Sequence, residues 1–247
     1  MNTRGDALPE VDVAGRRVHF LAWDSAEQWA WAGAITIAAE LRRALEQQPR
    51  ARLLLSGGKT PAPVYEALSR APLAWDRIDV ALVDERWLQP GDADSNSYLV
   101  RTTLLQDKAA QARFETLTRT GRSIEEAVAS ANLHARQVSD VVTLGMGDDG
   151  HTASLFPGMR GLEQALANPN AYVAVDATGC PGAGAWSRRI SLTPAGLAPS
   201  RMRLLLIRGE HKRRLFERAA DGLDPLELPV RLAFTTPGAR LRVHWCP

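Results

Sequence analysis

Residues 145–151 read Gly-Met-Gly-Asp-Asp-Gly-His. Glycines at Gly145, Gly147 and Gly150 let a backbone turn tightly and let a ligand come close. His151 can carry a proton near neutral pH, and Asp149 stands two residues before it. A plainer reading is also open. Asp148 and Asp149 can serve as turn residues that bond their own backbone, and a single loop histidine can be structural. A second cluster, residues 56–61, reads Ser-Gly-Gly-Lys-Thr-Pro. Gly57 and Gly58 ahead of a helix start expose backbone N–H groups, and the helix dipole adds positive potential. With Lys59 and Thr60 the segment suits a phosphate, or it is a plain glycine-rich turn from strand to helix. It is not a Walker A loop, because Leu53 stands where the first glycine belongs.

Arg86, Arg189 and Lys212 each stand next to the end of an apolar run. A phosphorylated small molecule with a reactive carbonyl uses every one of these parts: amide donors, cations and a proton carrier. The chain has no G-x-S-x-G elbow and no metal-ligand spacing of Cys and His. The simplest reaction is therefore hydrolysis by a general base and water, without a covalent intermediate. No metal and no organic cofactor is expected. Gly145, Gly147 and Gly150 also imitate the dinucleotide fingerprint. That fingerprint needs a long helix after its third glycine, and Pro157-Gly158 cuts it short.

These residues need strands and helices to hold them. Apolar runs at 18–23, 52–55, 78–83, 141–144, 172–175, 190–193, 203–207 and 241–245 predict strands. Residues 114–117 and 228–234 predict two more. The first run leads through a capping-box-like Asp24-Ser25-Ala26-Glu27 into a helix reaching Gln47, with Ala30, Ala34, Ile37, Leu41 and Leu45 at helical spacing. Further helices follow Pro61, Ser95 or Asn96, Ser123, Pro194 and Lys212. The charged triplet Asp84-Glu85-Arg86 reads as a turn at a strand's carboxyl end. Residues 179–184, rich in Gly and Pro, read as a mobile loop. Alternating strands and helices predict one three-layer α/β/α domain with a mainly parallel sheet. Such sheets bind ligands outside the carboxyl ends of their strands. Residues 1–16 are polar and are expected to be a flexible lead-in to a domain spanning 17–247.

Composition narrows the class. Of 247 residues, 45% are hydrophobic and 23% charged, which suits a soluble globular protein. The net charge of +2 implies no broad nucleic-acid surface. Cys180 and Cys246 lie far apart and fit a chain kept reduced in the cytoplasm. No secretory leader opens the chain and no run is apolar enough for a membrane span, so neither is expected.

Taken in order, 55–61, 84–87, Ser95-Asn96, 145–158, 189–193 and 209–212 resemble the motifs of 6-phosphogluconolactonases. The resemblance covers roughly residues 20–245. It implies a Rossmann-like α/β/α fold shared with glucosamine-6-phosphate deaminases, of the kind also seen in ribose-5-phosphate isomerases and CoA transferases. It implies hydrolysis of 6-phosphoglucono-δ-lactone in the oxidative pentose phosphate pathway, with no metal or cofactor. By position, His151 is the general base and Asp149 orients or polarises its imidazole. Arg189 and Lys212, with Gly57, Gly58, Lys59 and Thr60, match positions associated with substrate phosphate. Arg86 helps hold the phosphate or meets charge developing on the carbonyl oxygen. The expected partner is a phosphorylated sugar lactone alone, with no nucleic acid and no membrane, in a monomer or small homo-oligomer. Lys59 departs from the family, which usually has Ser or Thr there. Two other functions fit parts of the pattern. One is a glucosamine-6-phosphate deaminase-like isomerase, whose segment after the histidine ends in an acid where this chain has Phe156. The other is a non-catalytic sugar-phosphate-binding regulator, in which the base is typically lost.

Overall fold

The computed structural model describes residues 11–13, 16–135 and 137–247. The expected lead-in falls largely outside them; within it, Val11–Val13 forms strand β1, which pairs antiparallel with β2 (Arg16–Ala22). The chain then continues through α1 (Ala26–Gln47), β3 (Ala51–Leu55), α2 (Ala62–Ser69), β4 (Ile78–Leu82), β5 (Asp84–Arg86) and α3 (Asn96–Thr103). Next come β6 (Arg113–Phe114), α4 (Ile124–His134), β7 (Ser139–Leu144), α5 (Leu162–Leu166), β8 (Tyr172–Asp176) and β9 (Arg188–Leu192). The last elements are α6 (Pro194–Leu197), β10 (Ser200–Arg208), α7 (Glu210–Ala220), α8 (Leu232–Thr235) and β11 (Arg240–Cys246).

The main sheet runs β1-β2-β11-β10-β7-β3-β4-β6. Every pair except β1 with β2 is parallel. Parallel strands are covered on both faces and so read as unbroken apolar runs. That holds for β3, β4 and β7, which are buried along their whole length. The result is the expected three-layer α/β fold with a mainly parallel sheet. Helix α1 buries Ala30, Ala34, Ile37, Leu41 and Ala44 along one stripe. Its cap is Ser25, which accepts the Gln28 N–H, one residue on from the box read in the sequence. No helix among the described residues is long and apolar enough to cross a membrane.

Two segments depart from expectation, and a third gains detail. Asp84-Glu85-Arg86 is not a solvated turn but β5, part of a small antiparallel sheet ordered β5-β9-β8. Glu85 is fully buried there. Its carboxylate is satisfied by the backbone N–H groups of Arg86, Asn96 and Ser97 and by the Ser97 hydroxyl, so it closes the start of α3. Residues 228–234 form a 3-10 turn and α8 rather than a strand. Pro229 cannot donate to a ladder, and buried Arg231 ties the segment to the Ala219 carbonyl at the end of α7. Residues 179–184 hold a 3-10 turn at Pro181–Ala183, with Ala183 buried.

Candidate functional site

A cleft of about 280 Å³ opens at the carboxyl ends of the central strands. Three strand ends supply its floor and walls. Ser56, Gly57, Gly58 and Thr60 follow β3; Gly145, Met146, Gly147 and His151 follow β7; Ile207, Arg208 and Lys212 come from the end of β10 and the start of α7. The small sheet adds Asp84, Arg86 and Arg189. The first two strand ends are fastened to each other. Thr143 Oγ1 accepts the Ser56 N–H at 3.0 Å. The buried Tyr65 hydroxyl donates to the Ser56 carbonyl at 2.8 Å and lies 2.9 Å from Thr143 Oγ1. Burial pushes the Tyr65 phenol up to about 12, so it remains a donor.

The loop after β7 closes on itself. Gly147 N–H donates to the His151 carbonyl at 2.8 Å and Gly150 N–H to the Gly147 carbonyl at 3.1 Å. The Val230 N–H, from the segment that is not a strand, donates to the Gly150 carbonyl at 2.9 Å. This closure brings Asp149 Oδ1 to 2.6 Å from His151 Nδ1 and 3.0 Å from the His151 N–H. Burial works to raise the Asp149 carboxyl, but its bonds to the His151 ring and backbone and the charge of the ring outweigh it, and the group titrates below its ordinary value. The other face of the imidazole rests on buried Phe156, with ring centroids 4.3 Å apart.

Two glycines are required by this packing. A Cβ on Gly147 would overlap the imidazole, and a Cβ on Gly182 would overlap the Asp149 carboxylate. The Pro181–Ala183 turn therefore lies directly against the Asp149–His151 pair. It is anchored, because Arg189 donates to the Ala183 carbonyl at 2.7 Å and to the Trp186 carbonyl at 2.8 Å.

The cations differ in what holds them. The Arg189 side chain is only 7% exposed; besides those carbonyls it meets the Ser154 hydroxyl at 3.4 Å and Asp84 at 4.0 Å. Burial lowers its pKa from the ordinary arginine value. Asp84 in turn accepts from Ser154 Oγ and from the Asn96 side chain. Lys212 donates to the Met146 carbonyl at 2.6 Å and meets Asp148 at 2.8 Å. Its hydrogen bond and charge hold the Asp148 carboxyl below the usual range. Arg86 donates to the Asp94 carbonyl at 2.8 Å. Lys59 is exposed and is not among the residues lining the cleft.

The cleft thus collects His151, Arg86, Arg189, Lys212, Gly57, Gly58 and Thr60, with Asp149 behind the histidine. Sequence reading left out Arg208, Asp84 and Gly182. Asp84 carried a signal as the first member of a charged triplet at a strand end, and Gly182 as part of the Gly- and Pro-rich stretch 179–184. Among the described residues, no group of three or more His, Cys, Asp and Glu side chains could hold a metal ion.

The arrangement is that of a mainly parallel α/β protein with a small-molecule site outside the carboxyl ends of its strands. The family of glucosamine-6-phosphate isomerases and 6-phosphogluconolactonase matches residues 24–245, and this chain belongs to that family. It is 53% identical over 220 residues to a 6-phosphogluconolactonase of Xylella fastidiosa strain Temecula1, covering 87% of this chain and 92% of the relative. A 6-phosphogluconolactonase of Pseudomonas aeruginosa is 41% identical over 228 residues, covering 91% and 93%. The crystal structure of a 6-phosphogluconolactonase from Shewanella baltica superposes with a TM-score of 0.86 at 32% identity, covering 92% and 97%. A monomeric glucosamine-6-phosphate deaminase shares the fold, with a TM-score of 0.73 at 17% identity.

Proposed function

We propose that the chain hydrolyses 6-phospho-D-glucono-1,5-lactone to 6-phospho-D-gluconate, with His151 as general base. The observation that carries this reading is the short Asp149–His151 contact inside a cleft lined by cations. Asp149 accepts the Nδ1–H and so leaves the Nε2 lone pair free. Nε2 takes a proton from water as the water oxygen attacks the lactone carbonyl carbon. The tetrahedral oxyanion collapses, the ring C–O bond breaks, and the leaving ring oxygen takes the proton back from His151. Arg86 stabilises charge on the carbonyl oxygen, as a preorganised donor does. The phosphate sits against Gly57, Gly58 and Thr60, within the positive field of Arg189 and Lys212. Every one of these groups comes from a single chain, and the reaction as written needs no cofactor.

The deaminase reading loses support at Phe156. The position that would carry an acid for ring opening holds a buried phenyl ring packed at a tilt against His151. The regulator reading loses support because the base and its carboxylate are both present and in contact. The test is acid release from freshly made 6-phosphogluconolactone at constant pH, corrected for spontaneous decay, beside ammonia release from glucosamine 6-phosphate. Catalysed acid release without ammonia is the expected result. Ammonia release, or binding without turnover, contradicts it.

A further inference from the structure

Four cationic side chains line the cleft, and three of them face a carboxylate. Arg86 lies 3.9 Å from Asp94, Arg189 lies 4.0 Å from Asp84, and Lys212 lies 2.8 Å from Asp148. Arg208 is the exception, with no carboxylate in ion-pair range among the described residues. It is exposed at the last position of β10, which places it at the mouth of the sheet. Its guanidinium lies over the Trp29 ring, 5.7 Å from the centroid. Trp29 is fully buried, and its indole N–H donates to the His244 carbonyl at 3.0 Å, so the platform beneath the arginine is fixed. An aromatic face steadies a guanidinium without neutralising it.

We infer that Arg208 is the residue that meets the net charge of the substrate phosphate and so sets the preference for a phosphorylated over an unphosphorylated lactone. This rests on the lactonase reading above. A phosphate monoester carries about −1.5 to −2 charges near neutral pH. Lys212 and Arg189 must share their charge with Asp148 and Asp84, so each offers the phosphate less net attraction than an unpaired cation does. Arg208 comes to the cleft with no carboxylate partner among the described residues. It also hydrogen-bonds the Cys246 thiol, which burial keeps protonated and uncharged, so an incoming anion takes the place of no internal carboxylate. A planar guanidinium also suits two phosphate oxygens at once.

The test compares Arg208→Gln and Arg208→Lys with the parent protein. Each is assayed on 6-phosphogluconolactone and on the unphosphorylated 1,5-gluconolactone, and inorganic phosphate binding is followed by calorimetry. In Arg208→Gln, the ratio of kcat/KM for the phosphorylated over the unphosphorylated lactone should fall at least tenfold, mainly through KM. Phosphate binding should weaken by a similar factor, and Arg208→Lys should recover part of both. An unchanged ratio in a folded Arg208→Gln, or an equal loss on both lactones, overturns the inference. Parent protein that fails to hydrolyse either lactone sinks the lactonase reading instead. The calorimetry still decides Arg208 in that case: phosphate bound equally by parent and variant contradicts its role.

Discussion

Nδ1 of His151 lies 2.6 Å from Oδ1 of Asp149, and the same oxygen accepts the His151 backbone N–H at 3.0 Å. One carboxylate oxygen therefore fixes both the direction of the ring and the turn that carries it. Asp149→Asn keeps the size and can keep the backbone bond, but it removes the charge behind the imidazole. Turnover should fall by about ten- to a hundredfold with little change in KM, read from steady-state kinetics. Unaltered kcat in the variant would mean that the pair is only a turn-forming contact.

Gly182 tests the same pair from outside. A Cβ there has to displace the Asp149 carboxylate. Gly182→Ala should lower kcat at least tenfold while the melting temperature changes little, because the turn is at the surface of the cleft. Parental kcat would show that the Pro181–Ala183 turn moves aside freely and does not brace the pair.

Much of the site was legible because it is local. Residues 145–151 form their own closed loop, so spacing alone brought His151 and Asp149 into view. Gly182, Asp84 and Arg208 were not legible as site residues, because what they touch lies far along the chain. Gly182 lies against Asp149, 33 positions away, where an added Cβ would overlap the carboxylate. Lys59 differs from its neighbours, being exposed to solvent. Gly57, Gly58 and Thr60 line the cleft, whereas the Lys59 side chain does not. The parallel strands were easy to read, since burial on both faces leaves an apolar run. Residues 228–234 have an equally apolar pattern but owe it to packing under Gly150 and α7, which periodicity cannot distinguish from a strand.

Lys212 and Arg189 should respond differently to truncation. Lys212→Ala removes a side chain that bonds one carbonyl and an exposed aspartate. KM for the phosphorylated lactone should rise with stability nearly unchanged. Arg189→Ala leaves two carbonyls and Asp84 without their buried partner. Breaking such a buried charge contact typically costs about 3–5 kcal/mol, so denaturant midpoint and KM should both worsen. Equal stability loss in the two variants would contradict the difference in burial.

His244 gives a prediction about acid. It is fully buried, neither ring nitrogen has a hydrogen-bond partner, and burial with the nearby Arg242 charge lowers its pKa from 6.5 to about 4. A depressed folded pKa means that its stabilising contribution is complete above the unfolded value and is lost as pH falls through the folded one. The loss amounts to about 3 kcal/mol between pH 6.5 and 4. Buried Glu85, raised by burial to about 7, works the other way and adds stability as it is protonated. Comparison with His244→Phe isolates the histidine: the variant should lose less stability between pH 7 and 4.5 than the parent. Parallel pH profiles would show that His244 does not titrate against folding.

The decisive measurement is acid release from freshly prepared 6-phosphogluconolactone by the parent protein and by His151→Ala, side by side and above the spontaneous rate. The parent should hydrolyse the lactone and the variant should be slower by about 10²–10⁴-fold, with substrate affinity retained. Equal rates for the two proteins would remove the imidazole from the chemistry and with it the mechanism proposed for this cleft.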